Sequence, residues 1–409
     1  MSLNALYVDF NSYFASVEQQ LVPELRGKPI GVLAVMAETT CCIAASYEAK
    51  AFGIKTGTGV RDARKLCPKI IFVEARPPVY VEYHHKLIAI VESCTPVERV
   101  LSIDEMVCKL TGSQQNIDNA LKVAQKIKRA LAKQAGEFIR CSIGIAPNTF
   151  LAKVASNIQK PDGCVVIEQH ELPQRLYTLH LRDLNGIGAQ MEKRLNHFKI
   201  NTIEQLYTQN KDQLRTAWGS IEGERFYDKL RGIEPLLKPN ARSSLGHSHV
   251  LPPEQRSQMG AKAVLHRLLQ KAAMRMRSYD LLTAHIAIKV KFRDYPSFNA
   301  DSHCHATDDT LQLIETFETL WQAYPSTDFI PHAVGIRLLG LRHQNEITDD
   351  LFATKPSASE AKLNKALDIL NQKYGKNTIY FAGAHDALKS APMRIAFNHI
   401  PDLSVENND

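Results

Sequence analysis

Through residue 167 the chain alternates short β-prone runs with stretches of helical periodicity, a pattern suited to a single α/β layer. Strands are expected at 5–8, 29–35, 41–45, 138–145 and 164–167, with two more at 97–101 and 106–110 joined by a tight connection. Helical spacing follows the first strand at once, with Phe10, Tyr13, Phe14 and Val17 on neighbouring positions. It returns over 46–52, 60–66 and 79–93. The clearest amphipathic stripe is Ile117, Leu121, Ala124, Ile127 and Leu131. A later one, Leu151, Val154, Ala155 and Ile158, stops at the turn Lys160-Pro161-Asp162-Gly163.

Two places on this layer carry acidic residues where chemistry is often found. Asp9 lies at the carboxyl end of the first strand, a common active-site location in α/β layouts and equally a place for a helix cap. Asp104 and Glu105 fall at the tip of the hairpin, where strict alternation of faces breaks and both carboxylates can converge. Converging carboxylates repel unless a cation or a proton intervenes, and a hard divalent metal is the usual solution. Taken alone, the pair reads first as a solvated turn.

From 172 to 233 the sequence reads as purely helical. Leu184-Asn185-Gly186-Ile187-Gly188 opens a helix carrying Met191, Leu195 and Phe198, so Gly186 and Gly188 would present backbone N–H groups to a phosphate without reading sequence. A glycine turn between two core helices is the plain alternative, and 218–223 offers a weaker second example. The polar, aperiodic segment 236–244 reads as a linker. A second α/β unit follows, with helices over 261–278 and 308–321 and strands over 282–293 and 333–341. In the first of these strands Ile286, Ile288, Val290 and Phe292 alternate with Lys289, Lys291 and Arg293. A cationic open face suits phosphate contact, and a solvated edge is the alternative. The remainder is polar, with a helix over 361–374 and a short strand over 378–381.

Composition narrows the classes further. The 409 residues carry a net charge of +7, permissive for nucleic acid, and 44% hydrophobic content to fill two to four cores. None of the eight cysteines forms a C-x-x-C pair, which argues against a zinc site of the usual spacing. With no apolar run near the roughly 20 residues of a membrane span and no charged-then-apolar leader, the expectation is a soluble, cytoplasmic protein without a membrane partner.

Together these segments resemble the Y-family, or lesion-bypass, DNA polymerases. The matching residues are Val8 to Glu18, Ala45 to Lys50, Ser102 to Glu105, Ser142 to Ala146 and Lys153 to Gly163, in the family's order and spacing to about residue 340. The resemblance implies a right-hand polymerase of α/β multidomain class. Palm would take 1–12 and 75–167, fingers 13–74, a helical thumb 168–235, and an α/β little finger 245–342, with a tail over 343–409. From about Leu351 that tail is similar to the extension of a polymerase V-type catalytic subunit.

The same resemblance implies template-directed synthesis past damaged bases, using primer-template DNA and dNTPs. Asp9, Asp104 and Glu105, with the Phe10 carbonyl, would hold two Mg2+ ions, with Mn2+ as a substitute. Tyr47, Lys50 and Lys160 would contact the triphosphate, and Phe14 would be the steric gate against ribonucleotides. Lys50 departs from the family's usual arginine and loses the bidentate fork. Ile43, Ala44 and Gly57 would border the templating pair, with Cys41 and Cys42 as small packing residues nearby. Thr348 to Phe352, ending in Leu351-Phe352, resembles a sliding-clamp-binding peptide without its leading glutamine, and otherwise anchors the tail to its own domain. Accessory subunits of the polymerase V type are further implied partners. A scaffold that kept the fold without its chemistry, or an RNA-synthesising enzyme or nuclease, would be the competing classes.

Overall fold

Strand β1 (Ala5–Phe10) is buried along its whole length because it runs through the middle of a sheet covered on both faces. The computed structural model describes residues 2–235, 243–325, 329–346, 358–375, 378–388 and 390. The chain divides into one unit ending at Leu237 and a second beginning at Lys238.

In the first unit, helix α1 (Tyr13–Leu21) follows β1 after a short turn. The expected helical run from Phe10 is therefore corrected: Phe10 closes the strand, and Ser12, in a left-handed conformation at φ 48°, takes the N-cap position that Asp9 could have filled. Strands β2 (Ile30–Leu33) and β3 (Cys42–Ala45) come next, then the single-turn helix α2 (Tyr47–Lys50) and helix α3 (Val60–Leu66). With β4 (Ile71–Glu74) they form a small sheet in the order β3-β2-β4. Cys42 packs inside it as expected, whereas Cys41 is exposed.

Helix α4 (Pro77–Glu92) leads to the hairpin of β5 (Val97–Ser102) and β6 (Glu105–Lys109). After α5 (Ile117–Gln134) come β7 (Cys141–Ala146), α6 (Thr149–Ile158) and β8 (Cys164–Val166). The main sheet runs β5-β6-β1-β7-β8, antiparallel except for the last pair. Sequence alternation predicts a half-exposed strand over 138–145, yet β7 is buried throughout because α6 closes over it. Gly144 permits that approach, since a Cβ there would lie 1.9 Å from the Ala152 carbonyl. The helices α7 (Ala189–His197), α8 (Ile203–Thr208), α9 (Lys211–Trp218) and α10 (Glu222–Leu230) complete the unit, sharing a core with α6.

The second unit holds a sheet ordered β11-β10-β12-β9, made of β9 (Ser244–Val250), β10 (Leu281–Phe292), β11 (Phe298–Thr307) and β12 (Pro331–Leu339). Helices α11 (Gln258–Arg277) and α12 (Thr310–Trp321) cover its inner face. Two of these strands carry no strand signal in the sequence. The linker expected over 236–244 gives way to strand at Ser244; β9 is rich in Ser and His, and β11 in Asn, Asp, Ser and His. Pairing with β12 and β10 supplies what their composition does not.

Helix α13 (Ala358–Tyr374) belongs to this unit too. Arg277 grips Asp368 through two nitrogens at 2.6 and 2.8 Å, and Asn364 donates to Asp309 at 2.7 Å. The strand expected over 378–381 is instead a bend leading into a short 3-10 helix at Ala382–Ala387. Asn371 bonds both the amide and the carbonyl of Ile379, so those groups are not free for a strand partner. No helix among the described residues is long and apolar enough to cross a membrane.

Candidate active site

The centre of the first unit is the end of β1, where Asp9 stands opposite Glu105 on β6 and Ser142 on β7. Directly paired residues present their side chains on one face, so Asp9 and Glu105 emerge together. Ile103 and Asp104 form the whole connection of the hairpin. The Ser102 hydroxyl donates to Asp104 Oδ1 at 2.6 Å, and the Phe10 amide donates to the Asp104 carbonyl at 2.9 Å. Burial, with Glu105 and Asp9 nearby, pushes the Asp104 carboxyl up to about 6 against the opposing effect of the Ser102 bond. The hairpin pair is thus no solvated turn.

Two ammonium groups answer this concentration of negative charge. Lys153 of α6 lies between Asp9 and Glu105 and bonds to both, with its ammonium 5.0 Å above the Tyr7 ring. Lys160, just past the end of α6, lies 2.8 Å from Asp9. The Tyr7 hydroxyl donates to the second Glu105 oxygen at 2.9 Å. Lys153 was not a sequence candidate. Its signals were a charge set inside the apolar run Leu151, Ala152, Val154 and Ala155 and its place at the head of the family-like stretch Lys153 to Gly163.

The opposite wall of the same cleft comes from α1, β3 and α2. Phe14, Tyr47, Lys50, Ile43, Ala44 and Thr56 line it together with Asp9, Phe10, Asp104, Glu105 and Lys160. Phe14 stacks on Tyr80, whose hydroxyl donates to Glu18 at 2.7 Å. The Lys50 ammonium sits 4.4 Å from the Tyr47 ring centre. Enclosure of that ammonium and the like charge of Lys160 hold it below the usual lysine range. Enclosure and the charge of Asp9 likewise push the Tyr47 phenol up to about 12. Gly57, at φ +91°, turns the loop so that its amide reaches the Cys42 carbonyl. Thr56 beside it stands on the cleft wall.

Among the described residues no three His, Cys, Asp or Glu side chains stand gathered as a ready-made metal site. The donors nevertheless fit a hard divalent cation, being carboxylate oxygens that already hold one ammonium between them.

Comparisons with known proteins show the family. Residues 8–157 match the profile of the impB/mucB/samB family, 242–351 that of its C-terminal domain, and 182–234 that of the DNA polymerase-iota thumb domain. A DNA polymerase IV of Moorella thermoacetica is 33% identical over 384 residues, covering 92% of this chain and 95% of its own. The chain belongs to the Y-family of DNA polymerases. A DNA polymerase IV of Shewanella baltica is 32% identical over 340 residues, covering 82% of this Y-family chain and 92% of its own. Among solved structures, a Y-family DNA polymerase chimera of Dbh and Dpo4 aligns over 83% of this chain and 99% of its own, at a TM-score of 0.71 and 24% identity. The fold is that of the right-hand Y-family polymerases.

The remaining candidates of this Y-family chain belong to other elements. Gly186 is left-handed at φ +96° and Gly188 is the N-cap of α7, following a 3-10 turn rather than an α-helix. The weaker second example is a packing glycine: a Cβ on Gly223 would lie 2.1 Å from the Leu214 carbonyl. In the second unit Lys289 and Lys291 are exposed on one face of β10, and Arg293 is exposed just past its end. Because β10 runs between β11 and β12, the lysines stand on an interior strand and not on a solvated edge. The clamp-peptide candidates Leu351 and Phe352 lie outside the described residues.

Proposed function

We infer that this polymerase extends a primer 3′-hydroxyl with dNTPs opposite damaged template bases, by two-metal-ion nucleotidyl transfer. One observation carries the residue roles: the carboxylates Asp9, Asp104 and Glu105 share a single cleft with Phe14, Tyr47, Lys50 and Lys160. Asp9, Asp104, Glu105 and the Phe10 carbonyl would hold two divalent ions, Mg2+ by the hardness of the donors. When bound, such ions activate the attacking hydroxyl and neutralise the leaving pyrophosphate. The side chains do the rest. Lys160 and Lys50 offer positive charge to the triphosphate, with the Tyr47 hydroxyl beside them. Phe14 presents its ring where a ribose 2′-hydroxyl would sit, and Ile43 and Ala44 leave space beside the templating pair.

The glycine loop at Gly186–Gly188 and the cationic face of Lys289, Lys291 and Arg293 are suited to DNA phosphates. Leu351-Phe352 is the segment we assign to a sliding clamp, and accessory subunits remain part of the proposal. Primer extension with Mg2+ and dNTPs tests the central reading. Asp104→Ala should lose at least roughly a thousandfold in rate, since an ion site loses a ligand. Extension unchanged in Asp104→Ala, or absent from the wild type, favours the scaffold reading instead.

A further inference from the structure

Lys160 reaches Asp9 from a turn, and turns hold their shape only where something binds their backbone. Here two buried side chains do so. Ser142 stands directly opposite Asp9 on β7, so their side chains share one face of the sheet, and Asn11, in the turn after β1, meets Ser142 there. Asn11 is 2% exposed and Ser142 is fully buried. The turn bearing Lys160 lies over that face. Asn11 Oδ1 accepts from the Asp162 amide at 2.7 Å. Ser142 Oγ donates to the Gln159 carbonyl at 3.2 Å and accepts from the Gly163 amide at 3.4 Å and from Asn11 Nδ2 at 3.0 Å. One donor and two acceptor positions are all a hydroxyl has, and each is used. From outside, Lys128 of α5 bonds Asp162 Oδ1 at 2.8 Å.

We propose that Asn11 and Ser142 are positioning residues for substrate binding: they clamp the 159–163 turn to the strand bearing Asp9 and so aim Lys160 at the nucleotide triphosphate. Three backbone groups flanking Lys160 are tied to that face, while the Lys160 side chain pairs with Asp9. The clamp therefore sets direction without touching substrate. The inference rests on the role given to Lys160 above.

The test is single-nucleotide insertion kinetics on Asn11→Ala, Asn11→Asp, Lys160→Ala and the Asn11→Ala/Lys160→Ala double variant, with folding checked by circular dichroism. Asn11→Ala should raise KM for dNTP about tenfold and change kcat by less than about threefold, as loss of ground-state binding does. Asn11→Asp keeps an acceptor for the Asp162 amide while losing the donor to Ser142, so it should raise KM by less than Asn11→Ala does. The double variant should be no worse than Lys160→Ala alone, because both changes remove one interaction. Effects of Asn11→Ala and Lys160→Ala that multiply, or an Asn11→Ala loss confined to kcat, overturn the positioning role. A KM unchanged in Lys160→Ala overturns the nucleotide role of Lys160 and this inference with it. If Asn11→Ala does not fold, Ser142→Ala takes its place in the same cycle and is judged by the same outcomes.

Discussion

The ring of Phe14 lies against that of Tyr80, with centroids 4.5 Å apart and planes 17° from parallel. Tyr80 is itself fixed, being fully buried and bonded to Glu18, which also holds Arg76. Phe14 therefore cannot swing aside to admit a bulkier sugar without giving up the stack. Phe14→Ala is expected to lower discrimination against ribonucleotides by roughly a hundredfold. The ratio of kcat/KM for dNTP and rNTP measures it, and an unchanged ratio removes Phe14 from that role.

Lys153 serves as the counter-charge of Asp9 and Glu105 in this structure. Lys153→Met leaves two buried or half-buried carboxylates facing each other, a loss of about 3 kcal/mol when one member of such a set is removed. In EDTA the variant should melt below the wild type, and Mg2+ should raise its Tm by more than it raises the wild type's. Equal metal-dependent shifts in the two proteins would mean that Lys153 and the ion do not share those oxygens.

Lys50 offers a point charge where a guanidinium would offer a planar fork. Lys50→Arg is expected to lower KM for dNTP several-fold, an effect of about 1 kcal/mol, with kcat little changed. Steady-state insertion opposite an undamaged base checks this, and a raised KM shows that the cleft between Tyr47 and Lys160 has no room for the fork.

His84 of α4 is 1% exposed, with Nδ1 2.7 Å from the Ile103 carbonyl. Burial pulls its pKa down to about 4, partly opposed by that carbonyl and helped by His85. Between that value and the ordinary 6.5 the unfolded chain binds a proton that the folded chain does not. The His84 contribution to stability therefore rises with pH across this window and falls on acidification, by at most about 3 kcal/mol, while the raised Asp104 carboxyl contributes in the opposite sense. His84→Gln, which can still donate to Ile103, should make the slope of urea-unfolding free energy against pH from 4 to 6.5 less positive than the wild type's. A slope as steep as the wild type's assigns the proton uptake elsewhere.

The legible parts of this protein are those whose signal is local. Helix α5 repeats its apolar residues at helical spacing, and the hairpin of β5 and β6 is bounded by β-prone runs around two acids, so both were readable before any packing was known. Strands β9 and β11 were not, since Ser, His, Asn and Asp state no preference for extended backbone and their partners lie far along the chain. The site divides in the same way. Asp9, Asp104 and Glu105 were recognisable by residue type and place, whereas Lys153 looked like one charge on a core helix until α6 closed on β1.

By itself, then, the sequence determined the amphipathic helices, the acidic hairpin, the three carboxylates and the family pattern around them, because each depends on residues close in the chain. The tertiary structure decided that Asp104 and Glu105 meet Asp9, that Lys153 lies between two of them, and that Asn11 and Ser142 hold the turn of Lys160. Those relationships join residues up to 151 positions apart. Only the pairing of β1 with β6 and β7, and the closure of α6 across them, brings such distant groups within hydrogen-bonding reach.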